Sequence, residues 1–141
     1  MHQPKACLFD LDGLLLDTEP LHGEAWSQSA AIFGASLNKE QLVLLRGRRR
    51  FDCAKQILDW IDNSIEIKDF LSVHHPIARR LLSQAKPMPG ADVLVQWCSE
   101  NQVPMALVTS SSFDSVAYKS APHQWLKLIH TRVLGDDCAL L

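Results

Sequence analysis

Lys5-Ala6-Cys7-Leu8-Phe9-Asp10-Leu11-Asp12-Gly13 decides the fold. Residues 5–9 are mostly apolar and contain no turn former, which reads as a buried strand of a parallel sheet. Asp10 and Asp12 then fall at its C-terminal end, where open α/β sheets bind their ligands. Extended backbone points alternate side chains the same way, so the two carboxylates converge. Gly13 lets the backbone turn sharply and approach a ligand. Neighbouring carboxylates repel unless a cation lies between them, so the pair calls for a metal. Two plainer readings of this stretch remain open. One is a calcium loop, although Gly13 stands too early for an EF-hand and a strand precedes it. The other is an aspartate-bearing surface turn.

Outward from this stretch, residues 18–86 carry helical periodicity only. A first helix over residues 21–33 starts at Pro20 and stops at Gly34. Asn38 with Gln41 forms a capping box for a second. A third begins near Phe51, with Phe51, Ala54, Ile57, Leu58 and Ile61 on one side, and Asp62-Asn63-Ser64 breaks it. A fourth runs over residues 66–85, kinked or split at Pro76. Pro87-Met88-Pro89-Gly90 is the clearest linker. After it come a helix over residues 91–101 with Val93, Leu94, Trp97 and Cys98 inward, and a second buried strand over residues 103–108. Thr109-Ser110-Ser111 follows. A helix capped by Ser112 then packs through Phe113, Val116 and Ala117, and a third strand spans residues 131–134. Alternation of this kind means a parallel α/β sheet. Residues 1–17 and 87–141 are expected to form that core and residues 18–86 a helical cap, a lid on two hinges.

The 141 residues are 47% hydrophobic with net charge −2, long enough for a core and without a general pull toward nucleic acid or anionic membrane. No window suits a transmembrane span, and no signal peptide is read before the first strand. Cys7, Cys53, Cys98 and Cys138 form no close-spaced pair, so a reduced, cytoplasmic setting is the default.

The stretch Asp10-Leu11-Asp12-Gly13-Leu14-Leu15-Leu16-Asp17-Thr18-Glu19 resembles the first motif of the haloacid dehalogenase superfamily. It is most similar to the branch with a small helical cap, which includes sugar-phosphate phosphatases and β-phosphoglucomutase. The resemblance implies a Rossmann-like parallel sheet, here incomplete at about three strands, with an inserted α-helical cap. It also implies a Mg2+-dependent phosphatase acting on a small phosphorylated metabolite such as a sugar phosphate; a phosphomutase of the same architecture is the alternative. Asp10 takes the nucleophile's role, forming an aspartyl-phosphate, and Asp12 that of general acid and base. Both are assigned to the metal site, Asp12 there through its backbone carbonyl in relatives. Leu107-Val108-Thr109-Ser110 resembles the second motif, so Thr109 and Ser110 bind phosphoryl oxygens beside free N–H groups of the following helix. The spacing from Asp17 to His22 matches a hinge histidine near the leaving group. Gly47 and Arg50 fit the register of a cap loop that grips the distal end of the substrate, where a guanidinium suits phosphate.

Other candidates receive plainer readings. His74-His75 reads as solvent-exposed, and Trp60, Trp97 and Trp125 as core. Gly135-Asp136-Asp137 reads as the loop after the third strand rather than as the acidic metal loop, because no Lys-Pro precedes it; Lys119 and Lys127 stand in helix or turn settings. Where the chain stops at Leu141, the resembled family places that lysine, its acidic ligands and further strands. Read this way, the chain is the front part of such a core and turns over weakly or not at all, with the first strand left as an open edge. A third alternative is therefore a non-catalytic fragment that self-associates through that edge.

Overall fold

The computed structural model describes residues 2–61 and 64–138. It falls into two compact units, residues 1–18 with 83–141 and residues 19–82.

The first unit is an α/β structure. Strands β1 (Cys7–Phe9), β2 (Met105–Val108) and β3 (Thr131–Val133) form a parallel sheet in the order β1-β2-β3. Phe9 pairs with Leu107, and Val108 with Val133, so all three strands finish at one edge of the sheet. Helices α5 (Ala91–Glu100) and α6 (Phe113–Ser120) belong to this unit, with single turns of 3-10 helix at Gln124–Leu128 and Gly135–Asp137. Leu11, Leu16, Val95, Leu107, Val116 and Ile129 are buried in it. The Leu16 and Lys86 ends of the two crossing segments run side by side: the Asp17 N–H donates to the Lys86 carbonyl and the Met88 N–H to that of Leu15.

The expected doubly buried sheet is half right. Phe9 and Leu107 are buried, but Leu8 is 74% exposed and Val108 and Val133 are exposed too, so one face has no cover among the described residues. Strands β1 and β2 start later than expected, at Cys7 and Met105, while β3 starts at Thr131 as expected. Pro104, just before β2, lacks the N–H a ladder needs, and its carbonyl accepts from Cys7. In α5 the buried residues are Ala91, Val95 and Cys98, whereas Val93, Leu94 and Trp97 face outward. The period was right and its phase wrong. Trp97 is thus not core, while Trp60 is half-buried against the core of the second unit.

The second unit is all helix: α1 (Glu19–Ile32), α2 (Lys39–Leu45), α3 (Arg50–Ile61) and α4 (Ile67–Leu82). The Asn38 capping box is present, its Oδ1 accepting from the Gln41 N–H at 2.8 Å while the Gln41 side chain accepts from the Asn38 N–H at 2.9 Å. Gly34 stops the α1 turn at φ +80°, a left-handed conformation that few other residues adopt. Phe51, expected inward, is exposed at the start of α3. The break after α3 falls partly on Asp62 and Asn63, outside the described residues. Pro76 does not split α4, which is one continuous helix. The core joins Trp26, Ala54, Ile57 and Phe70, with the rings of Trp26 and Phe70 parallel at 6.3 Å.

His74 belongs to this core, contrary to its expected exposure. It is 2% exposed, and its ring stacks on Trp26 at 3.7 Å. Its Nδ1 lies 3.1 Å from Ser29 Oγ, whose own proton goes to the Ala25 carbonyl at 2.7 Å, so the imidazole is the donor. Burial, with Arg50 and His22 adding like charge, pushes its pKa down to about 3. His75 alone is exposed.

Candidate active site

The edge at which the strands finish carries the candidate residues of the first unit. Asp10 leaves β1 exposed, its Oδ1 accepting from the Leu11 N–H at 2.8 Å. The chain then coils tightly: the N–H groups of Leu15 and Leu16 return to the Leu11 carbonyl, and that of Gly13 to Leu16. Gly13 sits at φ +79°, which is what this turn requires of it.

Asp12 follows and is held firmly. Lys119 Nζ lies 2.9 Å from each of its carboxylate oxygens, and Ser111 Oγ donates to Oδ2 at 2.7 Å. Lys119 Nζ also lies 2.9 Å from Ser111 Oγ. The lysine is 1% exposed and the Asp12 side chain 26%. A buried ammonium is costly unless paired and hydrogen-bonded, and here its three donors meet three acceptors.

Lys119 and Ser111 are the residues sequence reasoning passed over. In sequence Lys119 reads as a lysine in a helix, and α6 as packing through Phe113, Val116 and Ala117. Instead Phe113 and Ala117 are exposed and the inward face is Val116 with Lys119, three residues on. A lysine in register with an inward valine, on the helix that directly follows the site hydroxyls, was the available signal.

Thr109 and Ser110 end β2. Thr109 is buried, and its Oγ1 accepts from the Ser111 N–H at 3.2 Å, while Ser110 is exposed. The N–H groups expected to be free for a phosphate are partly taken. Phe113 donates to Asp136 Oδ2 at 3.0 Å, and Ser115 to the Ser112 cap at 3.2 Å. The Gly-Asp-Asp turn is a brace for this loop. Gly135 N–H donates to the Ser111 carbonyl at 2.8 Å, Asp137 accepts from Leu134 N–H at 2.8 Å, and a Cβ on Gly135 would overlap the Ser110 carbonyl oxygen.

The other expected site residues lie in the second unit. His22, half-buried, lines a cleft of about 200 Å³ with Glu19, Trp26, Leu42 and Arg46. Gly47 turns the chain between α2 and α3 at φ +70°. Arg50 opens α3, exposed, with Nη1 at 3.4 Å from His75 Nδ1. The structure therefore gathers Asp10, Asp12, Thr109 and Ser110 at one sheet edge and His22, Gly47 and Arg50 in the helical unit.

A divalent cation at the end of these strands would meet hard oxygen donors. The Asp12 carboxylate is engaged by Lys119 and that of Asp10 is exposed, so Asp10 would hold it. Among the described residues no three His, Cys, Asp or Glu side chains cluster as ligands. That donor set fits magnesium, which keeps several waters and binds through one or two carboxylates plus substrate phosphate, better than an all-protein cage. Among the same residues no helix is long and apolar enough to cross a membrane.

Known proteins similar to this chain include phosphatases. The chain is 31% identical over 132 residues to a probable pseudouridine-5'-phosphatase of Drosophila melanogaster, covering 93% of this chain and 57% of that protein. It is 29% identical over 133 residues to (DL)-glycerol-3-phosphatase 2 of Arabidopsis thaliana, covering 92% and 55%. A haloacid dehalogenase (HAD) family hydrolase of Entamoeba histolytica has the same fold, with TM-score 0.78 at 24% identity over 94% of this chain and 62% of that one. The chain thus spans little more than half the length of these curated relatives. Residues 7–139 match the family model for haloacid dehalogenase-like hydrolases, and the chain belongs to that family.

Proposed function

We propose that this chain carries the phosphoryl-accepting site of a Mg2+-dependent phosphatase acting on a small phosphorylated metabolite. The observation that supports it most is the clamped Asp12, two residues from the exposed carboxylate of Asp10 at the end of a parallel strand. The relatives' names, a pseudouridine-5'-phosphatase and a glycerol-3-phosphatase, point to small phosphate monoesters as the substrate class.

In this reading an Asp10 oxygen attacks phosphorus, and the bond from phosphorus to the leaving oxygen breaks as Asp12 gives that oxygen a proton. Water then attacks the phosphoryl group on Asp10; its proton passes to Asp12, and the aspartyl bond breaks. Ser110 contributes an exposed hydroxyl to the phosphoryl oxygens, while buried Thr109 shapes the loop through Ser111. His22, Gly47 and Arg50 of the helical unit are kept as its substrate-binding residues in this reading. Magnesium held by Asp10 would offset the charge of nucleophile and phosphate. With one open carboxylate, turnover by this chain alone is expected to be slow. The unpaired cysteines suit the reducing setting of the cytoplasm.

Phosphate release from a panel of sugar and nucleoside monophosphates, with and without Mg2+, tests this. We expect slow release that disappears in Asp10→Asn; equal release by the two proteins would refute it. Conversion of a glucose 1-phosphate isomer to the 6-phosphate without release would make the chain a mutase.

A second reading has one observation in its favour. Strand β1 lies at the sheet edge with Leu8 exposed, a template for pairing with a second copy. Sedimentation should then show a dimer that Leu8→Lys disperses; a monomer at all concentrations removes this reading.

A further inference from the structure

We propose that Lys119 is a positioning residue for phosphoryl transfer: with Ser111 it sets the Asp12 carboxylate at the angle from which it exchanges a proton with the reacting oxygen. The proposal rests on the phosphatase reading above.

The geometry is that of an orienting device. Lys119 donates to both Asp12 oxygens and to Ser111 Oγ, each at 2.9 Å, and Ser111 passes its own proton to Asp12 Oδ2 at 2.7 Å. The three groups close a ring in which every donor has an acceptor. A carboxylate held by three hydrogen bonds from two side chains has one rotamer open to it.

The asymmetry of burial indicates what the ring is for. Lys119 is wholly enclosed, whereas Asp12 keeps a quarter of its surface in solvent. Stability alone does not call for an ion pair here, since replacing such a pair as a whole by packed apolar side chains is often neutral or stabilising. Two of the ammonium's donors turn to the carboxylate that remains accessible, and the third to Ser111, which itself donates to that carboxylate.

Ser111 is itself fixed from both sides. Its N–H donates to Thr109 Oγ1 at 3.2 Å and its carbonyl accepts from Gly135 N–H at 2.8 Å. The loop that carries the phosphate-facing Ser110 and the side chains that aim Asp12 are thus one rigid piece. Asp12 is thereby tied to the hydroxyl loop as well as to its own tight turn.

The experiment separates formation of the aspartyl-phosphate from its breakdown. The full chain is incubated with acetyl phosphate and Mg2+, desalted rapidly, and the loss of phosphoryl-Asp10 is followed. During loading the Asp10 oxygen displaces acetate, which leaves as the anion and needs no proton from Asp12. During decay the water oxygen bonds to phosphorus, the Asp10–phosphorus bond breaks and the water proton goes to Asp12. Lys119→Met should load like the unaltered chain and decay on the order of 100-fold more slowly. Asp12→Asn should share this split, and the double variant should decay no more slowly than Asp12→Asn alone, because Lys119 acts through Asp12. Ser111→Ala should slow decay less, and it carries the test if circular dichroism shows that Lys119→Met does not fold. The exposed Lys127→Met should change neither step.

Unchanged decay in both Lys119→Met and Ser111→Ala, or effects of Lys119→Met and Asp12→Asn that multiply, would overturn the proposal while leaving Asp10 as nucleophile. Failure of the unaltered chain to load at all would remove the phosphatase reading, and the proposal with it.

Discussion

Lys119 and His74 are both basic side chains enclosed almost completely, and they are enclosed in opposite ways. Lys119, in the α/β unit, points its three donors at Asp12 and Ser111. His74, in the helical unit, lies flat on Trp26 with its Nδ1 at 3.1 Å from Ser29 Oγ. The lysine sits among polar partners, whereas burial pushes the histidine's pKa down to about 3 and makes it a core aromatic. Burial of a titratable group is therefore not in itself a sign of chemistry. What separates the two is the partner: an accessible carboxylate in one case, a ring and a hydroxyl inside a helix bundle in the other.

If that contrast is right, substitutions should divide cleanly between chemistry and stability. The largest effect belongs to Asp12→Asn, expected to slow aspartyl-phosphate hydrolysis by about 100-fold or more with little change in unfolding. Hydrolysis at the unaltered rate would remove Asp12 from the reaction. Next comes His74→Ala, which leaves a cavity beside Trp26 and should cost about 3 kcal/mol in urea unfolding while phosphoryl loading persists. A change below about 0.5 kcal/mol would mean that the ring is not a packing element.

The same histidine makes a pH prediction of definite sign. Its native pKa is lowered to about 3 from an ordinary 6.5, so between these values the unfolded chain binds a proton that the native chain refuses. Stability should be full above about 6.5 and fall as the pH drops toward 3. His74→Phe should flatten this slope; an identical slope in the variant would assign it to other groups. The smallest effects on stability are expected from Lys119→Met and Asn38→Ala. The first should cost about 1 kcal/mol of stability, because water can reach the Asp12 carboxylate it leaves. The second opens the capping box of α2 at a cost of about 1 kcal/mol. A larger loss for Lys119→Met than for His74→Ala would invert the comparison.

What was legible in the sequence follows the range of the interactions concerned. The order of strands and helices, the Asn38 and Ser112 caps and the turn at Gly13 depend on neighbours in the chain, and they read directly. The phase of α5 and α6 depends on which side meets the sheet. Trp97, Val93, Phe113 and Ala117 were accordingly placed inward although they face out. His74 looked polar, but a ring of its size fills the space beside Trp26. For the candidate site, the aspartate pair and the hydroxyl loop were recognisable as motifs. The salt bridge to Lys119 was not, because it joins residues 107 positions apart and only the folded sheet brings them together.

Peptide mapping of the full chain after exposure to acetyl phosphate and Mg2+ tests the central claim most directly. A hydroxylamine-labile phosphoryl group on Asp10, absent from Asp10→Asn, is the predicted result. An unmodified Asp10, or a phosphoryl group carried elsewhere, would contradict the account.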